Sequence, residues 1–155
     1  KSIERITAHR FAIGNDDSPI KFYVNAESQS SSALQTSDLR LDIFPDAYAK
    51  EEIIVEQKTL DSFYDNKIQG KNTLLKIDVQ GLEEKVLAGS SQILQKIRYV
   101  LLEASVNPMY EGELTIPEMI SFAENLGLSL ISVISASRSP ISKNYIEFDL
   151  LFESL

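Results

Sequence analysis

The chain has no cysteine. A disulfide scaffold, a thiolate zinc site and a thiol nucleophile are excluded together. Histidine occurs once, as His9, which excludes a histidine-rich metal centre and argues against a Ser-His-Asp triad. A lone histidine within a strand-like run reads as structural. Positive charge is in short supply: 15 Lys and Arg stand against 23 Asp and Glu, a net charge of −8. A chain held on nucleic acid by phosphate contacts needs a basic face, so no nucleic-acid partner is expected. No apolar run approaches the roughly 18 residues that a membrane span requires, and no membrane partner is expected. There is no signal-peptide pattern, so a cytoplasmic location is the default.

What remains is an ordinary globular composition. The 155 residues are 43% apolar and 25% charged, enough for one domain over 1–155 with a buried core. The chain opens on Lys1 rather than Met, so residues upstream are expected.

Apolar periodicity divides the chain into elements. Ile3 to Ile13 reads as a strand, with a turn cluster at Asn15–Pro19 and a second strand over Ile20–Val24, together a hairpin. Asn25 to Leu41 carries Ser28, Ser30, Ser31, Ser32 and Ser37 and few apolar residues; it reads as a solvated, mobile loop. Glu52–Lys58 is a strand, and Thr59 caps a helix over Leu60–Asn66 with Asp61 in its first turn. Thr73–Val79 is nearly continuously apolar, the pattern of a strand covered on both faces. A helix over Leu82–Ala88 ends at Gly89, and a second runs from Ser90 or Ser91 to Lys96. Arg98–Val106 is a further buried strand. Thr115-Ile116-Pro117-Glu118 is a capping box, opening a helix to Leu126 that ends at Gly127. Leu128–Ile134 and Asn144–Phe152 are the last strands. Helical connections imply that Thr73–Val79, Arg98–Val106 and Leu128–Ile134 are neighbouring parallel strands, with Asn144–Phe152 antiparallel: an α/β domain.

In an open parallel sheet, ligands bind beyond the carboxyl ends of the strands. Asp78, Gln80 and Gly81 follow the run TLLKI, and Glu103 sits inside the run VLLEASV with Asn107 just beyond. Asp78 and Glu103 are therefore expected at one crevice, as general base and metal ligand or as hydroxyl-binding groups. The structural alternative makes Asp78 a helix cap and pairs Glu103 with Lys76 or Arg98. Tyr110, in the loop after Glu103, is placed either to stack on a ring or to anchor its loop. No residue is assigned as a metal ligand, and metal dependence is left open.

LLKIDVQGLEEKVLAG, LLEASVNPMYEGE and ENLGLSLISV together resemble the FkbM family of S-adenosylmethionine-dependent methyltransferases. HRFAIGNDDSPIKFYV, SQSSSAL and VEQKTLDSF resemble its earlier segments, so the likeness covers nearly all of the chain. The family usually has Glu where Gln80 stands. The resemblance implies a Rossmann-like methyltransferase fold with a mostly parallel sheet and an antiparallel last strand. It implies methyl transfer from S-adenosylmethionine to a hydroxyl of a sugar or other natural product, a small-molecule acceptor. Asp78 and Glu103 then border the transfer site as catalytic residues, and Phe11, Ala12 and Asp78 contact the cofactor. Gln80, Gly81, Asn107, Tyr110, Ser31 and Ser32 are the residues expected to face the acceptor.

The family's glycine-rich turn after strand one, and its ribose-holding acidic residue after strand two, have no counterpart here. No G-x-G occurs among the six glycines. The chain is therefore expected to be the C-terminal part of a methyltransferase domain, without strands one and two, and to bind the cofactor weakly when alone. A sheet that lacks two central strands must be completed from elsewhere or repaired by a new pairing, because buried unpaired backbone groups are costly. The alternative from another class is a non-catalytic α/β module that binds a glycan or a protein partner.

Overall fold

The computed structural model describes residues 6–64 and 72–154. Its first half contains two small sheets. Strand β1 (Ala12–Ile13) pairs in parallel with β4 (Gln57–Lys58), and β2 (Ile20–Asn25) pairs antiparallel with β3 (Ala49–Val55). The expected hairpin between Ile3–Ile13 and Ile20–Val24 is not formed. Ile3 to Arg5 lie outside the described residues, 6–10 adopt no regular structure, and only Ala12 and Ile13 are in a strand. Asp16 and Asp17 turn the chain toward β4 instead. Gln57 Nε2 donates to Asp16 Oδ1 at 3.0 Å, and the Thr59 N–H donates to Asp17 Oδ1 at 2.7 Å. These long-range bonds outweigh the local turn signal.

The serine-rich segment is also more ordered than its composition suggests. A 3-10 turn covers Ser28–Ser30, and helix α1 (Asp38–Ile43) begins at an N-cap, Ser37, whose hydroxyl accepts from the Arg40 N–H at 3.2 Å. Ser30 and Ser32 are fully buried. Their hydroxyls satisfy backbone groups: Ser30 Oγ donates to the Glu27 carbonyl at 2.9 Å and Ser32 Oγ to the Gln80 carbonyl at 2.6 Å. Small hydroxyl residues here replace regular backbone pairing, so the solvated loop read from composition is corrected to a packed segment.

The second half supplies the main sheet. Helix α2 (Leu60–Phe63) leads toward β5 (Leu74–Ile77), followed by α3 (Glu83–Ala88), α4 (Ser91–Leu94), β6 (Tyr99–Ser105), α5 (Ile116–Asn125), β7 (Leu128–Arg138) and β8 (Tyr145–Ser154). Asn66, the expected end of the first of these helices, lies outside the described residues. Thr59 caps α2, as its position predicts, accepting from the Ser62 N–H at 3.0 Å. Asp61 does more than sit in a first turn: its carboxylate accepts from the Gln92 and Ile93 N–H groups and caps α4. The capping box of α5 is present, with Glu118 Oε2 accepting from the Thr115 N–H at 2.8 Å.

Strand order is β5-β6-β8-β7. β5 and β6 are parallel, as their helical connection requires. β7 is not a neighbour of β6: β8 lies between them, antiparallel to both. A short connection makes the last two strands a hairpin, and the returning strand takes the place beside β6. The expectation that the Thr73 strand is covered on both faces is also corrected. Among the described residues β5 is an edge strand, and Leu74 is 55% exposed. β1 does not bridge to it, being paired with β4.

The core lies on one face of this sheet. Val100, Leu102 and Ala104 of β6, with Leu150 and Phe152 opposite on β8, are buried against Val86, Leu87, Ile93, Leu94, Met119 and Ala123 from the helices. Tyr99, Leu101 and Glu103 of β6 point to the other face and are only half-buried. A run such as VLLEAS thus reads as two-faced burial in sequence but is buried fully on one face. Among the described residues, no helix is long and apolar enough to cross a membrane.

Candidate functional site

The carboxyl ends of β5 and β6 are where the polar residues gather. Past Ile77 the chain reverses into α3 through two consecutive residues of positive φ, Gln80 (57°) and Gly81 (94°). Glycine adopts that conformation freely because it has no Cβ. At Gly81 there is a second reason: a Cβ would meet the Tyr110 Cβ at 2.9 Å and Cδ2 at 3.0 Å. Gln80 has no such freedom, and a left-handed non-glycine residue costs about 1–2 kcal/mol.

Four polar contacts hold Gln80 there. Its Nε2 donates to Asp78 Oδ1 at 2.9 Å, its carbonyl accepts from Ser32, and its Oε1 lies 3.3 Å from Arg40 Nη2 and 2.8 Å from the Tyr110 hydroxyl. That hydroxyl is also 2.9 Å from the Ser30 carbonyl. It carries one proton and so donates to one of the two at a time.

The two carboxylates singled out by sequence sit in different environments. Asp78 is half-exposed and bonded by Lys76 Nζ at 2.6 Å; that bond holds its carboxyl below the usual carboxylate range. It is not the cap of α3. Glu103 does not pair with Arg98, which is taken by Glu153 at 2.9 Å. It stands directly across from Asp149 on β8. Burial, and then the negative charges of Glu147, Asp78, Glu83 and Asp149, push Glu103 up to about 8.

Two residues missed by sequence reasoning complete the site. Glu83 is 2% exposed and accepts from the Val79 N–H at 3.0 Å, tying the turn to the start of α3; burial raises it to about 7. Nothing in LEEK tells which of Glu83 and Glu84 turns inward. Arg40 is the other. It is 9% exposed, pairs with Glu147 at 3.2 Å, and packs over the rings of Tyr110 and Phe44 at 4.9 and 5.5 Å. Its side-chain hydrogen-bond partners lie 40 to 107 residues away in sequence, so no local pattern marks it.

Two adjoining cavities meet here. The larger, about 330 Å³, lies between Phe11, Ala12, Phe22, Ser31, Asp78 and Leu82. The smaller, about 160 Å³, is polar throughout, with Glu27, Arg40, Glu103 and Glu147 in its wall. Gln29 and Gln80 line both. Asp78 and Glu103 thus border neighbouring cavities with Gln80 as the common wall. Of the other expected site residues, Phe11, Ala12 and Ser31 line the larger cavity. Ser32 and Tyr110 are buried beneath it as supports, Gly81 packs against Tyr110, and Asn107 is exposed and lines neither cavity.

The raised carboxyls fix a stability profile. Above about pH 4.5 the unfolded chain releases protons that the folded chain still holds on Glu83 and Glu103. Folding stability therefore falls as pH rises, through pH 7 for Glu83 and pH 8 for Glu103. The buried Glu83 alone accounts for about 3 kcal/mol of the decline. Urea unfolding at pH 5 and pH 8 is expected to show the lower midpoint at pH 8. Glu83→Gln, whose neutral side chain keeps an acceptor for Val79, is expected to flatten the slope. A midpoint that rises between these pH values would refute the assignment.

A family model described as the methyltransferase FkbM domain matches residues 1–130. The match ends inside β7, so β8 with Glu147 and Asp149 lies past the matched residues. No curated protein and no solved structure matches the chain. With most of its length under that model, and its adjoining cavities at the carboxyl ends of two parallel strands, the chain belongs to the FkbM methyltransferase domain family.

Proposed function

We propose that the domain transfers a methyl group from S-adenosylmethionine to a hydroxyl of a sugar or similar natural product. The observation that carries this reading is the pair of cavities joined at Gln80, one walled by aromatic and aliphatic groups with a carboxylate at its rim, the other wholly polar. The first fits the cofactor chemically: Phe11, Phe22, Ala12 and Leu82 offer apolar surface for a ring, and Asp78 offers a negative charge. When bound there, S-adenosylmethionine supplies a methyl group on a sulfonium. Residues of this chain do the rest. Gln80 and Arg40 set the wall between the cavities, and Glu103 takes the proton of the acceptor hydroxyl.

Of the two carboxylates, Glu103 suits a base better. A general base works best when its pKa lies near the working pH; Glu103 is near 8, whereas Asp78 is held low by Lys76. Asp78 instead orients Gln80 at 2.9 Å.

The test is methyl transfer from labelled S-adenosylmethionine across a panel of sugar and polyol acceptors, with the demethylated cofactor as second product. Turnover is expected to rise with pH, with an apparent pKa near that of Glu103. The 155-residue chain by itself is expected to bind the cofactor weakly, because its sequence contains no G-x-G turn of the kind that brings backbone N–H groups close to a ligand. Micromolar binding by calorimetry would show that the turn is dispensable. Tight glycan binding with no methyl transfer under any of these conditions would favour the non-catalytic module.

A further inference from the structure

The loop from Asn107 to Glu113, between β6 and α5, is held on two sides. On one side it pairs with the serine-rich segment: the Ser37 N–H donates to the Met109 carbonyl at 3.0 Å, and the Glu111 N–H to the Gln35 carbonyl at 2.8 Å. On the other side a single carboxylate gathers the loop. Glu113 Oε2 accepts from the Met109 and Tyr110 N–H groups at 2.6 and 3.0 Å, and its Oε1 accepts from Ser105 Oγ at 2.5 Å. Ser105 ends β6, two residues past Glu103. Gly112, with a φ of +82°, turns the chain so that Glu113 faces back into the loop while Glu111 stays exposed. An ionised acceptor takes shorter and stronger hydrogen bonds than a neutral one, and Glu113 takes three at once.

We infer that Glu113 is a positioning residue for the wall between the two cavities, acting through Tyr110 on Gln80. The link runs from backbone to side chain. With its N–H bonded to Glu113, Tyr110 packs its ring against Gly81 and Arg40, and its hydroxyl reaches Gln80 Oε1 at 2.8 Å. A glutamine amide has an accepting end and a donating end, which exchange places when the group rotates. Here two donors, Arg40 Nη2 and the Tyr110 hydroxyl, stand at the oxygen, and an acceptor, Asp78 Oδ1, stands at the nitrogen. Gln80 therefore offers its N–H groups on one fixed side of the wall. Releasing the loop withdraws one of the two donors that select this orientation. The effect on Gln80 stands on the geometry alone; the effect on turnover rests on the methyltransferase reading.

Side-chain amide NMR of the full chain, with no cofactor or acceptor present, reads the Gln80 Nε2 protons directly. In the unaltered chain they are expected as separated signals, one displaced by its bond to Asp78. In Glu113→Ala they are expected to move to the positions of free glutamine and to exchange with water about tenfold faster or more. Glu113→Gln keeps an acceptor for the Met109 and Tyr110 N–H groups and can donate to Ser105 Oγ, so it is expected to restore most of the displacement. Glu118→Ala breaks the capping box of α5 and controls for destabilisation alone; it is expected to leave the Gln80 signals in place. Unmoved signals in folded Glu113→Ala would overturn the proposal, as would equal movement in Glu118→Ala or no recovery in Glu113→Gln. Should Glu113→Ala not fold, Ser105→Ala removes one of the three bonds and is expected to move the same signals by a smaller amount; signals that stay put there would overturn the proposal equally. In the transfer assay Glu113→Ala is expected to lower kcat about 10- to 100-fold, with recovery in Glu113→Gln. Full kcat in Glu113→Ala would remove the positioning role. An unaltered chain that transfers no methyl, with the Gln80 signals behaving as described, would sink the methyltransferase reading and uphold the positioning.

Discussion

Glu103→Gln is expected to lower methyl transfer by about 100-fold or more while leaving the chain folded. Glutamine keeps the shape and an acceptor oxygen but cannot take a proton at neutral pH. The same change removes one of the like charges that face Asp149, Glu147 and Asp78. Above pH 8, where Glu103 is ionised in the unaltered chain, the variant is therefore expected to be the more stable protein. Activity falling while stability rises is a signature that a purely structural carboxylate does not give, because losing a structural contact lowers both. Labelled-methyl turnover and urea unfolding at pH 8.5 measure the two halves. A variant with full turnover would remove Glu103 from the chemistry.

Gly81→Ala carries the largest expected effect on folding. Its φ of +94° is foreign to residues with a side chain, and the new Cβ would lie 2.9 Å from the Tyr110 Cβ. Tyr110 is 1% exposed and fixed at its hydroxyl by Ser30 and Gln80, so its ring has no room to withdraw. Backbone strain of about 1–2 kcal/mol and overpacking of about 1–3 kcal/mol add. For a domain of this size the melting temperature is expected to fall by roughly 5–15 °C. Gly112→Ala is the control. Gly112 has a similar φ of +82°, but nothing lies within 4 Å of the added atom. It is expected to show the strain alone, about 1–2 kcal/mol. Equal losses at the two positions would mean that the Tyr110 contact does not constrain the turn.

These two residues belong to one assembly. The Gly81 turn presents Gln80, Gln80 divides the cavities, and Tyr110 and Arg40 support Gln80 from below. The Gly81 change is accordingly expected to reduce turnover even in the fraction that stays folded.

What the sequence by itself determined is local or periodic. The capping box at Thr115, the Thr59 cap, the α/β alternation after residue 73 and the polar residues at the ends of β5 and β6 all follow from spacings of a few residues. Backbone hydrogen bonding and the helical repeat act over that range. The IDVQG block and its neighbours carried the family resemblance for the same reason: they are contiguous. Tertiary structure decided the rest. The insertion of β8 between β6 and β7 depends on which strand edge is free when the hairpin folds back, and a single strand's pattern does not encode that. The burial of Ser30 and Ser32 depends on the Tyr110 hydroxyl and the Gln80 carbonyl brought in from afar, and the roles of Arg40 and Glu147 on a pairing across 107 residues. Glu103 and Asp78 look alike in sequence, as single acids at the ends of apolar runs. Lys76 beside one, and burial together with four further carboxylates around the other, set them on opposite sides of the usual carboxylate range. A side chain's charge state is a property of its surroundings, and those are assembled only when the chain folds.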